Sequence, residues 1–419
     1  MTSPFSTALD GARALYRRLP MSLRLPAGRA MRAVLEPALA ARLPKAEAGK
    51  RVAAEAATLI GLFGAPLGHG AAAHLCAMEL RAAGIDVAEV DMSAAVGAPV
   101  ETMIADAKPN DGAAILMMNP DTSVHALSRG AADLVRGRRV IGYWVWELET
   151  PPPHWRVGRG LVHEIWTPSA FAAQAARAAF DVPVIVVPHP AALNPPPAMT
   201  PARRAAGRLR IGASAEDFVV FQSFSLASSL ERKNPLGAIA AFRAAFNGDP
   251  SARLVIRMSQ ADRYPQAAQR LRAAVYDAGP TVMLIDAPAG LDELHALYAA
   301  CDVYISLHRS EGFGLNLAEA MLAQRAVIAT AWSGNVDFMD EASSALIPAK
   351  LVPVRDAQRV YTVAGARWAE PDHDAAVAAL RKLRDDPSAR AALAKAGAEK
   401  ARATLGGGAA ARALRMDGA

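Results

Sequence analysis

Between Asp302 and Ala323 one apolar run hands over to another across a glycine turn, and this handover restricts the fold more than any other stretch. Asp302-Val303-Tyr304-Ile305-Ser306-Leu307 is short and rich in β-branched and aromatic residues, the pattern of a buried strand. Ser310-Glu311-Gly312-Phe313-Gly314 follows, and Leu315 to Ala323 reads as a helix. A buried strand that turns straight into a helix is the unit of a parallel α/β sheet. The N-terminus of such a helix presents unpaired N–H groups and a positive dipole end, and it attracts phosphate. Glycine lets the backbone come close to a ligand. Glu311 and Glu319 would repel phosphate, so they are expected to accept hydrogen bonds from hydroxyl groups. A phosphate seat flanked by hydroxyl acceptors points to a sugar nucleotide.

The same alternation runs through the chain. Strands are expected at Thr58–Phe63, Val87–Asp91, Ala113–Met118, Val140–Trp146, His163–Trp166 and Val184–Val187, with a helix at Ala71–Ala83. A proline-rich stretch from Pro188 to Pro201, with the basic run to Arg210, reads as an interdomain linker. The alternation then restarts with strands at Phe218–Phe221, Arg253–Arg257, Val282–Ile285 and Ala326–Thr330, and helices at Leu236–Phe246, Tyr264–Ala278 and Leu291–Ala300. The expected fold class is α/β, with two doubly wound Rossmann-like domains and an interdomain cleft as the ligand site. The expected divisions are a basic amphipathic extension (1–55), an acceptor domain (56–200), a donor domain (201–390) and a helical segment (391–419).

The chain has 419 residues, which suits two domains. Its 52% hydrophobic and 21% charged residues are those of a globular protein. The formal net charge of +6 favours anionic partners such as nucleotides or a lipid surface. Two cysteines, Cys76 and Cys301, argue against a secreted disulfide framework. No apolar run reaches the roughly 18 residues of a spanning helix, and the N-terminus lacks a signal-peptide core. Basic amphipathic segments around Ala12–Pro20 and Arg29–Leu35 suit either surface helices or an anionic membrane. The expected location is the cytoplasm, with the inner face of the cell membrane as the place those segments would hold the protein.

Gly68-His69-Gly70-Ala71-Ala72-Ala73 has the G-x-G-x-x-A form, and Asp91 ends the next expected strand. That pattern suits a dinucleotide oxidoreductase, a phosphate or acceptor contact, or a plain strand-to-helix turn. Glu231-Arg232-Lys233-Asn234-Pro235 follows the first strand of the second half, on the same sheet edge as Glu311. Two adjacent cations there suit a diphosphate, the alternative being a solvated charged turn. Ala331 to Asp337 is either a ligand-facing loop or a turn. Asp372-His373-Asp374 has the form of a paired-acid metal clamp, but it sits where a helix should start and reads as its cap. No metal site and no cofactor are expected.

Together these residues resemble the retaining glycosyltransferases of group 1, also called family 4, which have the GT-B fold. The resemblance covers roughly residues 57–400. It rests on Glu311 and Glu319, on Arg232-Lys233-Asn234-Pro235, and on the strand Asp302–Leu307. Gly142-Tyr143-Trp144-Val145-Trp146-Glu147, Glu164-Ile165-Trp166-Thr167-Pro168-Ser169 and Trp332-Ser333-Gly334-Asn335 support it. It implies a metal-independent transferase of hexosyl type that uses a nucleotide-sugar donor and a glycan or lipid-linked glycan acceptor, as in bacterial surface polysaccharide synthesis. It places Glu311 beside the donor sugar, Glu319 on the ribose, and Lys233 on the diphosphate with N–H groups near Gly312, Phe313 and Gly314. Ser310 and Leu315 would complete the donor site, and Gly68, His69, Gly70 and Glu147 would face the acceptor. Family members carry an arginine just past the first strand of the donor domain. Here that region is Ser223-Phe224-Ser225, so either Arg232 substitutes or the leaving group has less charge support. The rival readings are an NAD(P)-dependent oxidoreductase, a phosphorylase-like enzyme holding pyridoxal phosphate, and a non-catalytic sugar-nucleotide-binding protein. Base readout is expected from the backbone near Ala287–Gly290.

Overall fold

A computed structural model describes residues 35–47, 52–65, 68–98, 100–102, 108–286 and 290–416. The basic segments around Ala12–Pro20 and Arg29–Val34, and the base-reading stretch 287–289, lie outside the described residues.

The first domain is a six-stranded sheet in the order β2-β1-β3-β4-β5-β6, parallel throughout. Its strands are β1 Ala56–Gly61, β2 Asp86–Asp91, β3 Ala113–Met117, β4 Val140–Tyr143, β5 Glu164–Thr167 and β6 Val184–Val186. The central strands β1 and β3 are apolar on both faces, because helices cover both sides. The second domain repeats the design in the order β12-β11-β10-β7-β8-β9, again parallel. Its strands are β7 Phe218–Ser225, β8 Ala252–Ser259, β9 Val282–Asp286, β10 Val303–Ser306, β11 Ala326–Thr330 and β12 Ala345–Ile347. This is the α/β, doubly wound, two-domain architecture expected from the sequence.

Two expectations are corrected, and one element was not foreseen. The run Val140–Trp146 is a strand only to Tyr143. The Asn119 side chain takes the Val145 N–H at 2.9 Å and draws the chain out of the ladder, which delivers Val145, Trp146 and Glu147 to the cleft. The basic run before Arg210 is not linker but a helix, Pro201–Arg210, capped by Thr200. Its Arg204 and Arg208 both reach Asp302, at 2.5 and 2.9 Å, so the charge that suggested a solvated linker holds the helix against the start of β10. The sequence also gave no sign of an antiparallel hairpin, β13 Ala349–Pro353 with β14 Arg367–Pro371. Its connecting loop, residues 354–366, reaches back across the cleft.

The carboxy-terminal segment divides between the domains. Helix Pro387–Thr404 packs on the second domain, whereas helix Ala409–Arg415 packs on the first. There the Arg139 guanidinium donates to the Ala413 and Leu414 carbonyls at 3.0 and 2.6 Å, and Glu79 accepts from the Ala410 N–H at 2.6 Å. The chain therefore passes between the domains twice, near residues 190 and 406. The two passages lie side by side, with Ala192 N–H donating to the Leu405 carbonyl at 3.1 Å.

Candidate active site

In an open parallel sheet, ligands bind outside the strand C-termini where the strand order reverses. In the second domain that point lies between β7 and β10. The loop after β7 forms a helical turn, Leu230–Lys233, started by Ser229 at a positive φ of 68°. Asn234 ends that turn and caps the next helix, Pro235–Phe246, accepting from Gly237 N–H at 3.1 Å. Its amide also donates to the Leu307 carbonyl at 2.8 Å, which ties the β7 loop to the end of β10. Arg232 and Lys233 are thereby brought against Glu311.

Glu311 is buried between the two cations. Lys233 Nζ donates to one carboxylate oxygen and Arg232 Nη1 to the other at 2.9 Å. Arg232 Nη1 also donates to the Ser310 carbonyl at 2.7 Å, the guanidinium stacks over the Tyr361 ring, and Nη2 lies 3.7 Å from Glu147. Burial alone would raise the Glu311 carboxyl, but Lys233 and Arg232 hold it well below the ordinary carboxylate range. Burial would lower the Arg232 guanidinium, yet Tyr361, Glu311 and Glu147 raise it further instead. Burial prevails at Lys233 and lowers its ammonium, with Glu311 opposing.

The glycine turn is supported from below and pressed from the side. Glu311 N–H donates to Ser333 Oγ at 2.7 Å, and Gly334 N–H donates to the Glu311 carbonyl at 2.9 Å. Gly334 lies so close that a Cβ there would fall 2.3 Å from the Gly312 carbonyl oxygen. A Cβ on Gly312 would meet Val145 of the first domain at 2.5 Å. The domains touch at this turn, where Ser169 Oγ donates to the Gly312 carbonyl at 2.6 Å. Gly314 adopts φ 101° and opens the helix Leu315–Leu322, whose first N–H groups have no side-chain cap.

These residues surround an interdomain cleft of about 400 Å³. Gly312, Phe313, Gly314, Leu315, Lys233, Arg232 and Glu311 line it from the second domain, and Gly68, His69 and Glu147 from the first. Three expected contributors do not. Ser310 is fully buried, with no hydrogen-bond partner for its hydroxyl among the described residues. Gly70 is also buried, and it is small because a Cβ would strike the Ala65 and Leu62 carbonyls at 2.5 and 2.7 Å. Glu319 lies one helical turn beyond the cleft, where the Tyr298 hydroxyl donates to it at 3.0 Å. Burial pushes its carboxyl up to about 7, with Tyr298 and Arg257 opposing. The Asp91 carboxylate binds the Ser93 hydroxyl and N–H at 2.6 and 3.1 Å, so it caps the following turn rather than awaiting a ribose. Asp372 accepts from Ala375 N–H at 2.9 Å and is a helix cap.

Sequence reasoning missed one residue that lines the cleft, Tyr361, and one cation beside it. Arg257, from the neighbouring strand β8, donates to Ser223 Oγ at 3.3 Å and so stands next to the cleft-lining Ser223. Strand alternation in a known register would have exposed it, since Ser223 and Arg257 are paired. Tyr361 reaches the cleft on the hairpin loop, which Asp356 folds by accepting from the Val360 and Tyr361 N–H groups at 2.7 and 2.9 Å.

A comparison with curated proteins returned no match. Solved structures share the fold at low identity. The Anabaena protein HepE in complex with UDP-glucose is 13% identical, with a TM-score of 0.59 over 84% of this chain and 95% of that one. Sucrose-phosphate synthase from Thermosynechococcus elongatus is 15% identical, with a TM-score of 0.59 over 85% and 96%. WaaG, a glycosyltransferase involved in lipopolysaccharide biosynthesis, is 13% identical, with a TM-score of 0.53 over 86% and 98%. The two-domain architecture is that of the GT-B glycosyltransferases, and residues 226–386, which carry Arg232, Lys233, Glu311 and Glu319, match the family model of glycosyl transferases group 1.

Proposed function

We propose that this protein is a retaining, metal-independent glycosyltransferase that moves a hexosyl unit from a nucleotide-sugar donor to a glycan or lipid-linked glycan. The observation that carries this reading is the grouping of Lys233, Arg232 and Glu311 at the switch point of the second sheet, opposite the uncapped helix after Gly314. Breaking the bond between the sugar and the phosphate leaves negative charge on the departing diphosphate. Fixed cations and N–H groups in a cleft that excludes water stabilise that charge as it develops. Lys233 and Arg257 are the cations for the diphosphate, and Glu311 offsets part of the charge of the Lys233–Arg232 pair until the donor enters. Glu319, one turn further along the helix that Gly314 opens, receives the ribose hydroxyls where the nucleotide runs beyond the cleft. The leaving phosphate takes the proton of the attacking hydroxyl on the same face of the sugar, which retains its configuration. HepE was solved with UDP-glucose and WaaG acts in lipopolysaccharide synthesis, which favours a uridine donor and a role in surface polysaccharide synthesis at the inner face of the membrane.

A melting-temperature screen against UDP, GDP, dTDP and their sugar conjugates tests the reading. At least one diphosphate is expected to stabilise the wild type, and Lys233→Ala to lose most of that gain. A wild type that no nucleotide stabilises overturns it.

A further inference from the structure

The turn Leu230–Asn234 separates two spaces. Arg232 and Lys233 face the donor cleft, whereas Leu230, Glu231 and Asn234 line a cavity of about 480 Å³ built wholly from the second domain. Among the described residues the two spaces share no lining side chain. We propose that this cavity is a second ligand site, and that it takes a small organic monophosphate, a phosphate carried on a compact ring.

The lining pairs cations with an apolar wall. Three guanidinium groups reach the cavity from three separate elements: Arg270 from helix Pro265–Ala278, Arg309 from the segment after β10, and Arg355 from the hairpin loop. The planar fork of arginine matches the oxygens of a phosphate two at a time. Two carboxylates offset part of that charge. Glu370 accepts from Arg309 Nε and Nη2 at 2.6 and 3.0 Å, and Glu231 accepts from Arg270 Nη1 at 2.5 Å. Each carboxylate has further lone pairs, which suit the hydroxyl or amino groups on a ring. Leu230, Leu236, Val352 and Pro353 give the ring an apolar wall. Arg309 is also held over the Trp368 ring, 5.7 Å from its centroid, so one phosphate ligand is already ordered before binding. The volume falls in the range of about 300–1,000 Å³ that small-molecule sites occupy. A free phosphate ion would leave the apolar wall unused, so a phosphate with a ring attached should bind more tightly.

Arg309 fastens this cavity to the turn on its other side. Its Nη1 donates to the Glu231 carbonyl at 2.5 Å, and its backbone N–H donates to the Arg232 carbonyl at 2.8 Å. The hairpin loop that carries Arg355 reaches the same turn, where Gln358 Oε1 accepts from Leu230 N–H at 2.6 Å. A phosphate drawn to these arginines therefore acts on the segment that sets Arg232 and Lys233 against Glu311. The site is an effector site, at which the monophosphate and a diphosphate in the cleft change each other's affinity by the same factor. The effector role rests on the glycosyltransferase reading above, whereas binding in the cavity does not.

The test is titration calorimetry on the full chain with glucose 6-phosphate, AMP and inorganic phosphate, each alone and at saturating UDP. Glucose 6-phosphate or AMP is expected to bind with UDP present, and more tightly than inorganic phosphate. The first of these assigns a sugar phosphate and the second a nucleotide. Arg270→Ala and Arg355→Ala should each weaken that binding by about five- to tenfold, the worth of one hydrogen bond to an exposed cation, and leave the affinity for UDP alone unchanged. Both side chains are exposed, and exposed ion pairs contribute little to folding, so the variants are expected to melt like the wild type. Four results overturn the second site: neither organic monophosphate binds, saturating UDP abolishes the binding, both variants bind like the wild type, or inorganic phosphate binds equally well, which marks an adventitious ion only. An equal affinity for UDP with and without bound monophosphate overturns the effector role. A wild type that does not bind UDP counts against the donor reading, and the titrations without UDP then decide the second site by themselves.

Discussion

Arg257 Nη1 lies 3.3 Å from Ser223 Oγ, across a strand pair in which the two residues stand in register. A cation from β8 thus stands beside Ser223, a residue that lines the cleft and carries no charge of its own. A hydrogen bond to a charged group contributes about 1.5–3 kcal/mol, or roughly ten- to a hundredfold in affinity. Arg257→Ala is expected to weaken nucleoside-diphosphate binding by that factor in titration calorimetry, and Arg257→Lys by less. An unchanged dissociation constant in the alanine variant removes Arg257 from the donor site.

Glu311→Gln leaves two buried cations facing a neutral amide. Removing one partner of a buried ion pair typically costs about 3–5 kcal/mol. A bound diphosphate restores negative charge beside the cations and stabilises only the folded state. Urea unfolding with and without UDP should show a large loss in the free variant and a larger ligand-induced gain than in wild type. Equal gains would falsify the idea that carboxylate and diphosphate compete for Lys233.

The Glu319 carboxyl, raised by burial from the model-compound value of 4.5 to about 7, makes stability depend on pH in a particular direction. The folded state binds this proton more tightly than the unfolded state. Its contribution is thus complete below about pH 4.5 and is lost as pH rises to about 7. Glu319→Gln should flatten that part of the melting-temperature profile. A variant whose profile between pH 4.5 and 7.5 parallels the wild type contradicts the assignment.

Gly334→Ala forces a Cβ to within 2.3 Å of the Gly312 carbonyl oxygen and 2.8 Å of the Phe313 nitrogen. Backbone must move, and overpacking of this kind costs about 1–3 kcal/mol. The movement displaces the turn that carries Glu311, so donor turnover should fall by an order of magnitude or more, in line with the sensitivity of catalysis to small misplacements. Turnover and melting assays on the variant check this, and unchanged turnover contradicts it.

How much of this was legible follows from the range of each interaction. The switch-point strands, the turn at Gly312–Gly314 and the cation pair Arg232–Lys233 are local in sequence, and periodicity and composition revealed them. The contacts that finish the site are not local. Ser223 and Arg257 meet through a register 34 residues apart. The Val145 N–H leaves its ladder for Asn119, 26 residues earlier. Asp302 attracts arginines from a helix that reads as linker while its partner is unknown. Ser310 was placed in the site because it adjoins Glu311, yet successive residues of extended chain point opposite ways, and this one points inward. The hairpin loop bearing Tyr361 shows neither helix nor strand periodicity and is folded by Asp356, a capping role that composition does not announce.

The paired passages at Ala192 and Leu405 have a mechanical consequence. One flexible connection would let the halves swing and twist freely, whereas two adjacent chain passages tied by a hydrogen bond resist torsion. Bending about a line through both remains easy, as in a door hung on two hinges. The halves can then part and meet along a single arc, so each return brings Gly312 back to Val145 and Ser169 in the same alignment.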